Sequence, residues 1–139
     1  MGKSFGGKIA LGVLGALLFV SGWVLGQQNE PPRQPLEKTL MHVFAFTPLE
    51  GATEQDFENF KAATADMVGE IPGFRRAWYG KLQQPLPADP NPRLYGVAME
   101  FDDLNALKVY ADHPAHKAWE TVYEKVRVRG TTTLDILGE

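Results

Sequence analysis

Tyr110, His116 and His42 carry the side chains best suited to move a proton near neutral pH. An imidazole titrates there. A phenol beside it can hold or polarise a carbonyl while the imidazole takes a proton from the neighbouring carbon. The spacing supports a meeting of the first two. His116 stands three residues before Trp119, on one face of a helical segment. Tyr110 stands six residues before His116, at the end of a shorter segment. Asp112-His113-Pro114 kinks the chain between them, because the residue before proline is pushed away from helical angles. Both rings are therefore expected to look toward the same sheet. A Tyr–His hydrogen bond that only fastens the two helical pieces fits the same spacing. His42 lies in the apolar run LMHVFAF, on the side of Phe44 and Phe46, where a polar ring needs a partner. It is either a satisfied core histidine or one that lines a pocket. His113 reads as a cap or hinge.

Other chemistries are excluded or unsupported. The chain has no cysteine, so disulfides, thiol nucleophiles, iron–sulfur clusters and cysteine-bound zinc are ruled out. A proline turn separates His113 from His116 and no acid completes a ligand pattern, so no metal is expected. Phosphate-binding loops, nucleophile elbows and nucleotide fingerprints are missing, and no organic cofactor is expected. Haem on His42 or His116 is chemically open, but nothing in the spacing favours it. With 14 Lys and Arg against 17 Asp and Glu, the net charge of −3 argues against nucleic acid as a partner.

The elements that must position these residues follow from hydrophobic period and punctuation. Residues 39–47 read as a strand that stops before Pro48. Thr53 caps a helix whose stripe is Phe57, Phe60, Thr64, Met67, Val68 and Ile71, ended by Pro72-Gly73. Residues 74–82 read as a second strand, 83–93 as an exposed loop with four prolines, and 94–101 as a third strand. A short helix carries Leu104, Leu107 and Tyr110; the next carries His116, Trp119, Val122, Tyr123 and Val126; residues 127–137 make the last strand. The order β-α-β-β-α-β, with the second helix split, is α+β and ferredoxin-like: an antiparallel sheet with helices on one face. Leu40, His42, Phe44 and Phe46 alternate with Met41, Val43 and Ala45, so the first strand is apolar on both faces. The third behaves alike. Two helices can cover only one face of a four-stranded sheet, which predicts a homodimer joined through the free sheet face.

Ahead of this domain, Ile9 to Gly26 runs without a charge after a start bearing Lys3 and Lys8. Residues 1–26, expected to form an N-terminal apolar helix ahead of the domain, are read as a signal peptide or a membrane anchor. Residues 27–38, with three prolines, form a linker, and 39–139 the folded domain. Either reading of 1–26 places the domain outside the cytoplasmic face: membrane-anchored through residues 9–26, or secreted or periplasmic after cleavage.

His42, I-P-G (71–73), W-Y-G-K (78–81), M-E-F (99–101) and Y-A-D-H-P-A-H (110–116) together resemble the stress-responsive A/B barrel family, Dabb, over about residues 39–137. The resemblance implies a dimeric α/β barrel. Most members have no assigned activity, while one plant member closes a polyketide by aldol condensation without a cofactor. Its pattern implies Tyr110 and His116 as catalytic residues and His42 as a pocket residue here; the apolar neighbours Phe44, Phe60 and Trp119 are then expected to shape the ligand-binding cavity with His42. Unlike that member, this chain has an apolar leader and a proline-rich 83–93 segment. The expectation is a homodimeric stress-related or small-ligand-binding module, taking a small apolar or aromatic ligand. A cofactor-free acid–base enzyme is the second reading.

Overall fold

The computed structural model describes residues 38–138. The leader and all of the linker but Lys38 lie outside the described residues. So does the apolar helix expected to precede the domain. Among the described residues, no helix is long and apolar enough to cross a membrane.

Four strands and three helices follow in the expected order. They are β1 (Leu40–Phe46), α1 (Glu54–Glu70), β2 (Phe74–Leu86), β3 (Arg93–Phe101), α2 (Leu104–Asp112), α3 (Pro114–Tyr123) and β4 (Thr132–Leu137). The sheet order is β2-β3-β1-β4 and every pairing is antiparallel. This is the ferredoxin-like α+β fold. Thr53 opens α1 through a capping box, its hydroxyl accepting from the Asp56 amide and the Asp56 carboxylate accepting from the Thr53 amide.

The inner face of the sheet carries Leu40, Phe44, Phe46, Val97, Met99 and Phe101. These join Phe60, Met67, Trp119 and Tyr123 from the helices in one buried core. Each large apolar side chain sealed there contributes about 1.5–3 kcal/mol over its exposed state. Gly73 sets how closely α2 lies over this core. It has φ +79°, and a Cβ there would stand 2.5 Å from the Cβ of Ala106.

Three boundaries differ from the sequence expectation. β2 runs on to Leu86, into the stretch read as a loop, because Leu86 still pairs with Arg93. β4 starts at Thr132 rather than at residue 127. α3 ends at Tyr123, short of Val126. The chain between them is held by β1's continuation: the Leu49 amide donates to the Val126 carbonyl at 2.9 Å and the Val128 amide to the Thr47 carbonyl at 2.8 Å. These tertiary bonds win over helix or strand continuation because they satisfy the same backbone groups.

The outer face of the sheet is apolar across much of its width. Val43 pairs with Ala98 and Leu134, and Ala45 with Gly96. Trp78, Leu94, Leu134 and Ile136 are exposed. The face is not wholly apolar, as the sequence reading had it. Glu100, opposite Met41, is buried with its carboxylate bonded to Arg76 and Thr39, and the Arg76 guanidinium holds its pKa below the usual carboxylate value.

Candidate functional site

The site is built around the break between α2 and α3. His113 ends one helix and begins the next, and its extended backbone (φ −68°, ψ 138°) is what Pro114 demands of its predecessor. Its Nδ1 accepts from the Ala115 amide at 3.2 Å, so it is the cap the sequence suggested. The break turns α3 back toward the last turn of α2. The rings of Tyr110 and His116 end 4.0 Å apart, inclined by 35°.

Spacing along α3 extends this pair into a ladder. His116 stacks on Trp119 (5.7 Å, 24°) and Trp119 on Tyr123 (4.8 Å, 23°). The Arg127 guanidinium lies over the Tyr123 ring at 4.4 Å. The ladder is fixed from below. The Trp119 indole N–H donates to the Thr64 hydroxyl at 2.8 Å, and that hydroxyl donates to the Phe60 carbonyl at 2.7 Å.

His116 Nδ1 lies 3.3 Å from the Ala111 carbonyl oxygen, which only accepts, so Nδ1 carries the proton and Nε2 keeps a lone pair. Burial pushes its pKa below the ordinary histidine value, outweighing the opposing pull of the Ala111 carbonyl and Glu120. It is therefore a neutral imidazole at pH 7, as a base must be. Burial drives the Tyr110 phenol strongly the other way, so it stays protonated and able to donate.

His42 finds its partner across the sheet. It sits opposite Asp135 in the β1–β4 register, and its Nδ1 donates to the Asp135 carboxylate at 2.6 Å. That bond leaves Nε2 as the free nitrogen. The His42 ring lies 6.1 Å from that of Tyr110 and 5.7 Å from that of Phe44.

These groups border a cavity of about 350 Å³. His42, Phe44, Tyr110, His116 and Trp119, with Glu120, form one part of its wall; Tyr123, Arg127, Thr131 and Thr133 form another. Of the six residues the sequence singled out, five line it. Phe60 does not. It packs beneath the ladder, stacked on Tyr123 at 5.5 Å, and borders a separate cavity with Phe57, Tyr79 and Tyr95. Phe60 comes from α1 and packs against Trp119 and Tyr123, whose rings line the space that it does not. Asp135, Tyr123 and Arg127 were not assigned to a site from the sequence. A single acid between Leu134 and Ile136 in a strand was the available signal for Asp135; nothing local marked Arg127.

Residues 40–133 match the pattern of the stress responsive A/B barrel domain, Dabb. The chain belongs to the Dabb family. Among solved structures, it is similar to a Dabb protein with a ferredoxin-like fold from Mesorhizobium loti. The identity is 20%, over 73% of this chain and 97% of that one, with a TM-score of 0.58. A dimeric ferredoxin-like protein of unknown function from Bacteroides fragilis is 19% identical over 74% and 99% of the two chains, with a TM-score of 0.57. A hydroxynitrile lyase from Passiflora edulis is 8% identical over 75% and 96%, with a TM-score of 0.61. No curated protein matches the chain significantly. In this Dabb domain the split second helix thus brings an imidazole and a phenol to one cavity.

Proposed function

We propose that this Dabb protein is a homodimeric small-ligand-binding module, held outside the cytoplasmic face by residues 9–26 or released there after cleavage. The observation that carries the reading is the cavity: it is open, walled by Phe44, Trp119, Tyr110 and His116, and of a size for a small organic molecule. The ligand class is a small apolar or aromatic compound, because stacked rings make most of that wall. Dimerisation is supported by the exposed apolar residues on the outer sheet face, which need a cover in water.

The test is thermal denaturation of the full chain with a panel of small aromatic and carbonyl compounds, on wild type and on His116→Ala. Compounds that raise the wild-type melting temperature and leave the variant unmoved are expected. If none of the panel shifts the wild type, the binding reading fails. Carbonate extraction of membranes separates a retained anchor from a released domain, and recovery in the cytoplasmic fraction overturns export.

A second reading has its own support. Two imidazoles with a free Nε2, one oriented by Asp135, and a protonated phenol make a cofactor-independent acid–base set. In it, His116 Nε2 removes a proton from the carbon beside a carbonyl. The C–H electron pair moves into the new C=C bond and the carbonyl pair onto oxygen, where the Tyr110 hydroxyl donates. The hydroxynitrile lyase from Passiflora edulis is a precedent for the scaffold alone. Deuterium exchange at the α-carbon of an aryl ketone, followed by NMR, tests it. Wild type should accelerate exchange, and His116→Ala or Tyr110→Phe should remove about 10²-fold or more of that acceleration. Equal rates for all three dismiss catalysis.

A further inference from the structure

The far end of the cavity differs in chemistry from the Tyr110–His116 end. Arg127 lines it, with the guanidinium over the Tyr123 ring and Nη1 donating to the Thr131 hydroxyl at 3.0 Å. Its nearest carboxylate, Glu124, stands 4.0 Å away, is half exposed, and is closer to Arg129 at 3.5 Å. The Nε of Arg127 and the hydroxyl of Tyr123 are both buried with no hydrogen-bond partner among the described residues. Burial, the largest effect, pushes the Tyr123 pKa up to about 12, against the pull of the Thr131, Arg127 and Arg93 side chains near its hydroxyl.

Arg93 is a second cation near enough to act on Tyr123. It is 8% exposed and bonds only to neutral hydroxyls, Thr47 at 3.1 Å and Thr132 at 3.4 Å. No carboxylate pairs with it among the described residues. A buried guanidinium without a counter-charge and two unpaired polar atoms beside it are costly unless something anionic completes them. The acid in the cavity wall, Glu120, acts on Tyr110 and His116 instead and so belongs to the opposite end.

We infer that the Arg127–Tyr123 end of the cavity seats an anionic group, and that the ligand is an aromatic or apolar compound bearing a carboxylate. This rests on the reading of the cavity as a small-molecule site and names its ligand class. The carboxylate pairs with the Arg127 guanidinium where that side chain lines the cavity. Glu120 repels it from the other end, and the body of the ligand lies along Trp119 and Phe44 toward the imidazoles. The charge thereby decides which end of the ligand meets His116.

The experiment is isothermal titration of the full-length protein with 2-naphthoate and 2-naphthylmethanol, which share a ring system and differ in charge. Wild type is expected to bind the carboxylate about tenfold or more tightly than the alcohol. Arg127→Met should abolish that preference and leave the alcohol's affinity within about twofold. Arg127→Lys should keep part of it, because a lysine supplies charge without the fork. Equal binding of both probes to wild type overturns the anion seat and leaves the small-molecule reading standing. Binding of neither overturns both. Should Arg127→Met lose its cooperative melt, Thr131→Val takes its place. The preference is then expected to fall, and an unchanged preference counts against the seat.

Discussion

At the scale of residues, the site depends on polar atoms whose partners are few and specific. Trp119 keeps its place as the middle of the ladder because Thr64 accepts its indole N–H in a dry core. Thr64→Val retains shape and removes the acceptor. The orphaned N–H should cost about 1–3 kcal/mol of stability, read from urea denaturation; a cost near zero would show that the bond does not hold the ring. His116 makes a pH-dependent contribution whose sign follows from its environment. Its folded-state pKa lies below the ordinary histidine value, so the unfolded chain takes up the proton first as pH falls. Stability from this residue is complete above about pH 6.5, declines as pH drops through that value, and levels off below the folded-state pKa. The charged and titratable groups around it are Glu120, Lys117, His42 and Tyr110. His116→Gln should flatten this part of a stability–pH curve recorded by thermal melts. A curve of unchanged shape would mean that the imidazole is not desolvated as described.

At the scale of elements, α2 carries Tyr110, and the approach of α2 to β2 is governed by Gly73. Two costs combine there. The backbone is left-handed at φ +79°, and an added methyl meets Ala106. Gly73→Ala should destabilise the protein by about 1–3 kcal/mol and weaken ligand binding with it, since Tyr110 moves with its helix. Gly69→Ala is the control. It lies in α1 with open space around it, and should stabilise by about 0.5–1 kcal/mol through helix propensity alone. Denaturant midpoints distinguish the two, and a stabilising Gly73→Ala would contradict the packing described. The elements themselves were largely legible. Strand alternation, the Thr53 cap, Pro72-Gly73 and the Pro114 kink are local signals, and each sits where it was read. The end of β2 was not, because Leu86 pairs with Arg93 across the turn, nor were the end of α3 and the start of β4, which Thr47 and Leu49 settle from a distant part of the chain.

At the scale of the whole molecule, the outer sheet face is the feature that a single copy leaves unfinished. Leu134 and Ile136 expose 49% and 56% of their surface on the outer face of the edge strand β4. Wild type should sediment at about twice its 15.4 kDa chain mass. A Leu134→Glu, Ile136→Glu double variant should shift to the monomer, since two carboxylates cannot be buried unpaired. A wild-type monomer would remove the reason for pairing two copies face to face. Both residues alternate with Asp135, which points inward to His42, so the variant spares the site's own hydrogen bond. Ligand binding that persists in the monomer would show that each copy holds a complete cavity.

The amino-acid sequence by itself determined the order of strands and helices, the two-sided apolar sheet, and the meeting of Tyr110 with His116 across a proline. Each of these follows from residues within a few positions of one another. Only the tertiary structure decided that Asp135 orients His42, that Arg127 caps the aromatic ladder, and that Phe60 does not line the cavity it was assigned to. The first and last rest on strand register and helix stacking between segments far apart in the chain, and the second on how the chain leaves α3, which its bonds to Thr47 and Leu49 set. No local period or spacing encodes such pairings; they exist once the sheet has closed and the core has packed.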